Sequence, residues 1–532
     1  MSAGFLRSRC GRAAIAIASL ACTLPAIAQS ERRSIVTPYL GVDQVVLAPL
    51  KGEGEVLTYT NLIAGLRADV QTRRLEAMID AQYNHSLGWN REAGDFSLLS
   101  GIANARLKVA PGLSLDAGGI ATRVRGGGFS GGSSLNGSST SQVYGGYVGP
   151  TYVGKAGIFD VTGAYRLGYV RVDDGDSSDF NGIRLGSRYG ESWSHSLNGS
   201  IGVAPGVLLP LGLVASAGYA REDADRLDQR FENIFGRLDA TLPVSPTVAL
   251  VGGIGYEEFQ LSQRSPVLGG DGTPVIRNGG YVTDETSPRQ LIYDQDGLIW
   301  DAGVLWRPSR RTRAEARIGH RYGGMTYQGS FTWQGRNSSF GLVLFDGIDS
   351  FGRVITSDVA ALSGSLDIAR NPFTQDLTGC AFSTTGGGRC FNDALSGVTG
   401  ANFRYRGVAA QYGTTFGPWQ WGIGGGYSQR KFITAGNELV LIRGTKDENW
   451  FANTNFTYAI NERDNLDTIV YFNYFDGTGR TDVMNVGAST SYFRGLTRRL
   501  SASASLGVDG VKADDIDTVI SAMGQVGLRY SF

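Results

Sequence analysis

Residues able to do chemistry are few in this chain. There are three histidines, His85, His195 and His320. His195 sits in Trp193-Ser-His-Ser-Leu-Asn-Gly199, a grouping of His, Ser and Asn of the kind that hydrolytic chemistry uses. Period-2 spacing, however, puts it on one face with Trp193 and Leu197. On that oily face it reads as an interface residue rather than a general base. His85-Ser86 has no carboxylate placed to orient it. No HExxH, GxSxG or Walker sequence occurs. We therefore expect no catalytic residue, no cofactor, no metal and no enzymatic activity.

Two other residue sets invite a role. Cys380 and Cys390 bracket a Gly-rich stretch; the only other cysteines, Cys10 and Cys22, lie near the N-terminus. In an oxidising compartment Cys380 and Cys390 should pair and staple a loop. A metal site is the weaker alternative, because no His or further Cys lies nearby. The second set is arginine: only six of the 49 basic residues are Lys. From Arg311 to Tyr322, alternate positions carry Arg311, Arg313, Glu315, Arg317, Gly319 and Arg321. By the same alternation Arg74, Lys108 and Arg166 fall on the polar side of their own segments. Arg67, Arg106, Arg313, Arg317, Arg321, Arg404, Arg406 and Arg529 are expected to form a basic wall facing a lumen. Such a wall concentrates anions and grips carboxylates in bidentate fashion. Asp69, Glu76, Asp80, Asp160 and Asp301 fall on that side too, so the other reading is a structural ladder of ion pairs.

The elements that position these residues are strands. In Leu62–Val70, Leu62, Ala64, Leu66, Ala68 and Val70 alternate with Ile63, Gly65, Arg67 and Asp69. Leu500–Asp509 and Arg74–Asn84 alternate likewise, at a period of two rather than 3.6. Leu466–Phe475 is less regular, with apolar residues on both faces. The C-terminal run puts Phe532, Tyr530, Leu528, Val526, Gly524, Ala522 and Ile520 on one face. A strand with one oily face and one wet face is a membrane-barrel strand when the oily face meets lipid. Tyr530 and Phe532 resemble the terminal signal read by the outer-membrane barrel assembly machinery.

Short turns, such as Pro111-Gly112, Gly417-Pro418 and Glu462-Arg463-Asp464, alternate with longer connections rich in Gly, Asp, Ser or Asn. The clearest long ones are 125–141, 172–190, 263–296, 346–401 and 431–448. That asymmetry predicts a closed antiparallel transmembrane β-barrel of about 22 strands (roughly 18–24), with short periplasmic turns and long extracellular loops. Trp193, Trp300, Trp306, Trp419, Trp421 and Trp450 fall near strand ends, where amphipathic rings suit a membrane interface. Segment 346–401 is too long for a simple loop. It reads as a disulfide-bearing extracellular loop that serves as a lid or plug, or as a docking surface, with Ser357–Ile368 forming a short helix or a strand pair.

Composition agrees. Hydrophobic content is 42%, close to that of an ordinary soluble chain. That is expected when half of each strand faces water. The 77 Gly against 15 Pro suit closely packed, curved strands. Formal net charge is zero, which predicts no nucleic-acid partner. Arg7, Arg9 and Arg12, an apolar run from Ala13 and the small residues Ala26 and Ala28 compose a secretory signal peptide over 1–28. The remaining 29–532 form one barrel domain. The expected location is the bacterial outer membrane. Expected partners are outer-membrane lipid and lipopolysaccharide, the assembly machinery, and anionic solutes or polysaccharide.

Arg313–Trp333 followed by Phe345–Val354 (FDGIDSFGRV), together with the early Pro38–Pro49 run, resembles a family of outer-membrane barrels associated with exopolysaccharide and PEP-CTERM sorting systems of Gram-negative bacteria. The resemblance implies a surface-polymer context and brings no catalytic residues with it. The expected function is a porin-like channel for small or anionic solutes, or a component of polysaccharide export. The alternative is a non-conducting receptor, adhesin or structural barrel.

Overall fold

The computed structural model describes residues 33–52, 55–89, 95–125, 140–174, 189–277, 280–362, 367–382, 389–391, 395, 398–433, 446–477, 482–513 and 516–532. Ala26 and Ala28, expected at a signal-peptide cleavage site, lie outside that set. The main element is one 22-stranded antiparallel sheet in which each strand pairs with its sequence neighbours. The first strand, Arg33–Lys51, pairs with Leu57–Gln71 on one side and with the last, Ile516–Ser531, on the other. Val42 lies opposite Leu528 and Leu40 opposite Tyr530. The sheet is thus a ring without edges, and its backbone hydrogen bonds are satisfied within it.

Alternation decides which half of each strand is wet. Outward side chains are oily and exposed: Leu62 at 44%, Ile254 at 54% and Val526 at 61%. Their inward neighbours are polar and buried, among them Asn61, Asn453 and Gln525. In the irregular strand Asp464–Gly477, the inward apolar residues Ile469 and Tyr471 are buried in the lumen. The Tyr471 hydroxyl donates to Asp509 there. Aromatics band the outer surface near both ends. Trp419 stacks on Tyr458 at 4.0 Å beside one rim, and Tyr427 lies 4.3 Å from Trp450 toward the other. An edgeless sheet with an oily exterior between aromatic belts is an outer-membrane β-barrel.

One rim carries tight turns. Residues 72–74, 111–112, 157–158, 310–311 and 417–418 are turns of two or three residues, and both chain ends of the ring lie at this rim. Gly112 at φ 78° and Gly417 at φ 56° adopt the left-handed backbone that such reversals require. This is the periplasmic rim by the usual asymmetry. At the opposite rim the longer connections join strand ends Arg125 to Thr140, Asp174 to Glu191, Gln263 to Gln290, Asp349 to Asn402 and Ile433 to Lys446. The alternation of short and long is not strict. Residues 225–228 and 322–323 are tight turns on the extracellular rim. Tyr322 and Gly323 both have positive φ, as a two-residue type I′ hairpin needs.

Hydrocarbon against the outward face makes a local prediction. Ile254, near mid-strand in Val248–Gln263, points outward. Ile254→Arg should cost about 2–4 kcal/mol of folding stability in lipid. Equilibrium denaturation of the protein refolded into vesicles measures it.

Candidate functional site

The site grows from segment 350–401. Of the readings offered for 346–401 (an extracellular loop serving as lid or plug, or a docking surface), the plug fits the fold: the described residues of 350–401 turn inward, against the inner faces of the wall. Ser350 caps a helix, Phe351–Ala361, by accepting from the Arg353 backbone N–H at 3.2 Å. Phe351, Val354, Ile355 and Val359 share one helix face and are buried. They pack against the inward residues Ile120, Val143, Val170 and Val172 of the neighbouring strands. The helix begins six residues earlier than the sequence reading placed it, because the Ser350 cap was not recognised.

The helix can approach so closely because the wall is bare beneath it. A Cβ at Gly145 would lie 2.6 Å from Ile355 Cγ2, and one at Gly168 would lie 2.9 Å from Thr356 Cγ2. Farther along, two short strands, Leu377–Phe382 and Arg389–Cys390, bring Cys380 opposite Cys390. These two cysteines form the expected disulfide. It rests on the wall at Gly424, where a Cβ would sit 2.6 Å from Cys390 Sγ. The Phe373 ring fills the space over Gly507 in the same way.

Polar contacts fix the rest. Arg353 pairs with Glu222 at 2.9 Å and Asp349 at 3.0 Å. Arg370 pairs with Asp80 at 2.7 Å, and Arg123 with Asp376 at 2.9 Å. Tyr59 and Asn61 donate to the Phe373 carbonyl, and Gln82 donates to Gln375. Strands from widely separated parts of the ring therefore hold one inserted segment. Removing one partner of a buried ion pair costs about 3–5 kcal/mol, so these anchors are firm.

The eight wall arginines take the following places. Arg317 bridges Asp239 at 3.0 Å, Asp301 at 2.9 Å and Glu315 at 2.8 Å, and Arg313 also reaches Glu315. Arg321 pairs with Glu257, and both Arg404 and Arg406 pair with Asp346. Arg67 meets Asp80, Arg106 meets Asp116, and the Arg529 guanidinium stacks over the Tyr39 ring at 4.4 Å. Most of these arginines are engaged with carboxylates across neighbouring strands, as a ladder that braces a wide wall would be. Arg237, which the sequence reading did not single out, completes the set by joining Asp239 and Asp301. Its strand, Gln229–Pro243, also carries Leu238 and Leu242 outward, and its period-2 pattern was the signal that could have found it. The histidines face outward: His195 Nδ1 lies 2.8 Å from the Tyr165 hydroxyl, and His85 Nδ1 is 2.9 Å from Ser97 Oγ.

Between the helix and the wall lies a cavity of about 180 Å³. It runs from Tyr322 at the extracellular rim to Arg166 and Arg237 near mid-height. Phe231, Phe235 and Phe259 line its upper part. Above it, at the extracellular turn, Arg264 and Arg289 clamp Asp228. Partial burial alone would raise the Asp228 pKa, but the charged hydrogen bonds from these arginines outweigh it and hold the carboxyl below its ordinary range.

No family model matches the chain, and no curated protein matches it. Among solved structures it is similar to the FrpB iron transporter from Neisseria meningitidis, at 10% identity and TM-score 0.45, over 93% of this chain and 82% of that one. It is also similar to the siderophore receptor PirA from Acinetobacter baumannii, at 9% identity and TM-score 0.42, over 94% and 81%. The ferric-catecholate import receptor Fiu from E. coli matches at 10% identity and TM-score 0.42, over 93% and 81%.

Two predictions test the geometry. Gly145→Leu should dislodge the helix while the barrel still forms. The expected outcome is new protease cleavage within 350–401 in a protein that keeps its heat-modifiable migration. The Asp228 clamp has a lowered folded-state pKa, so its stabilisation is complete above the ordinary carboxylate value of about 3.9 and is lost as pH falls through the lowered value. Pepsin cleavage within 264–289 should be slow at about pH 4 and accelerate on further acidification. In Asp228→Asn it should be fast already at about pH 4.

Proposed function

We propose that this outer-membrane barrel is a surface receptor whose lumen is obstructed at rest by its own 350–401 segment, and not a standing-open porin. The observation that carries this reading is the insertion itself. The segment crosses from Glu222 and Gly168 on one side to Asp80 and Asn61, and on to Gly424 and Gly507. A passive channel needs an unobstructed aqueous path with charges free to guide solute. Here the lumen arginines are mostly spent on carboxylates, and an anchored segment stands in the way. Passage of an extended polymer would need that whole segment to leave. A receptor needs what is present: a cavity reaching toward the extracellular rim beside a helix whose position a ligand can bias.

Conductance decides between receptor and porin. In planar bilayers the wild-type protein should give little steady current. Replacing 351–399 with a short Gly-Ser linker should give large, lasting openings, because the ring closes without the segment. Wild-type conductance equal to that of the deletion variant would mean an open lumen and would restore the porin reading.

A further inference from the structure

The cavity beside the helix contains one arginine unlike the others. Arg237, Arg321 and Arg353 line it, and each is neutralised by carboxylates: Asp239 and Asp301, Glu257, and Glu222 with Asp349. Arg166 also lines it and makes no ion pair with any described residue. Its Nε is buried without a hydrogen-bond partner, and its guanidinium lies over the Tyr147 ring at 5.9 Å. A guanidinium in such a place is an uncompensated positive charge beside donors that want an acceptor.

Ser196 faces Arg166 directly across the strand pair. Its oxygen accepts from Asn198 at 3.0 Å, which leaves the hydroxyl proton free to donate. The helix hydroxyls do not compete, because Thr356 and Ser357 donate to carbonyls of their own helix. Donors therefore converge at the mid-height end of the cavity. The other end is aromatic: Phe231 and Phe259 meet edge to face at 4.9 Å, and Phe259 and Tyr322 at 5.9 Å.

We propose that this cavity binds a small aromatic carboxylate, with its anionic group on Arg166 and Ser196 and its ring among Phe231, Phe235 and Phe259. One unpaired cation calls for one negative charge. A cavity of about 180 Å³ suits a single ring, since one of about 150 Å³ already holds benzene. Arg with a hydroxyl beside it matches the planar two-oxygen geometry of a carboxylate. This names a ligand class for the receptor reading and rests on it only for entry from the extracellular side.

The test is calorimetric titration of the full-length protein in detergent with three probes: benzoate, benzyl alcohol and acetate. Benzoate should bind more tightly than both others, because it alone offers ring and charge together. Arg166→Gln should weaken benzoate about tenfold or more and leave benzyl alcohol unchanged. Arg166→Lys, which keeps the charge, should restore part of the loss. Should Arg166→Gln fail to fold, as judged by heat-modifiable migration, Ser196→Ala takes its place and should weaken benzoate but not benzyl alcohol. Absence of benzoate binding to the wild type overturns the proposal, as does equal affinity of a folded Arg166→Gln. Neither result touches the resting conductance, so the receptor reading then stands or falls by its own experiment.

Discussion

A ring of 22 strands encloses more space than its inward side chains can fill. Barrel diameter grows with strand number, and at this size the centre is beyond the reach of any side chain. The consequences run through the molecule. Inward polar groups need partners across the wall rather than across the lumen, so arginines and carboxylates pair strand to strand, as Arg237, Asp239, Asp301 and Arg317 do. The open centre also leaves room for a segment of the chain itself, and 350–401 occupies part of it.

Glycine and charge divide the work of holding that segment. Glycines on the inner face remove side chains where the helix and the disulfide touch the wall, at Gly145, Gly168 and Gly424. Contact there is close and apolar. Ion pairs at Arg353, Arg370 and Arg123 supply direction, since a guanidinium and a carboxylate meet well in few orientations. Close fit without charge would let the segment slide; charge without close fit would let water in. The cavity lies beside these contacts, with Gly168, Arg353 and Thr356 in its lining, and Arg166 is left there without a carboxylate among the described residues.

Much of the barrel was legible in the chain. The C-terminal alternation from Ile520 to Phe532 is the pattern of the closing strand, and the outward exposure of Val526, Leu528 and Tyr530 follows it. The arginines of Thr312–Arg321 fall on the inner face for the same reason. The exceptions have local causes. The tight extracellular turn at Tyr322-Gly323 carries no long polar run to announce it. The helix at 351–361 was displaced in the reading because its cap, Ser350, was not recognised as one.

Neighbours along the chain set the strand period, the rim of most turns, the face of each arginine, and the pairing of two cysteines ten residues apart. Ring closure settles where 350–401 goes and which arginine is left over. Gly145, Gly168, Gly424 and Gly507 lie far from that segment in sequence, and their bareness becomes a docking surface only when the ring closes. Whether an inward arginine finds a carboxylate depends on the register of other strands, some of them two or more positions away, as for Arg317 with Asp239 and Arg321 with Glu257. Alternation can place Arg166 and Arg317 on the same side; it cannot say that, among the described residues, Arg317 meets three carboxylates and Arg166 meets none.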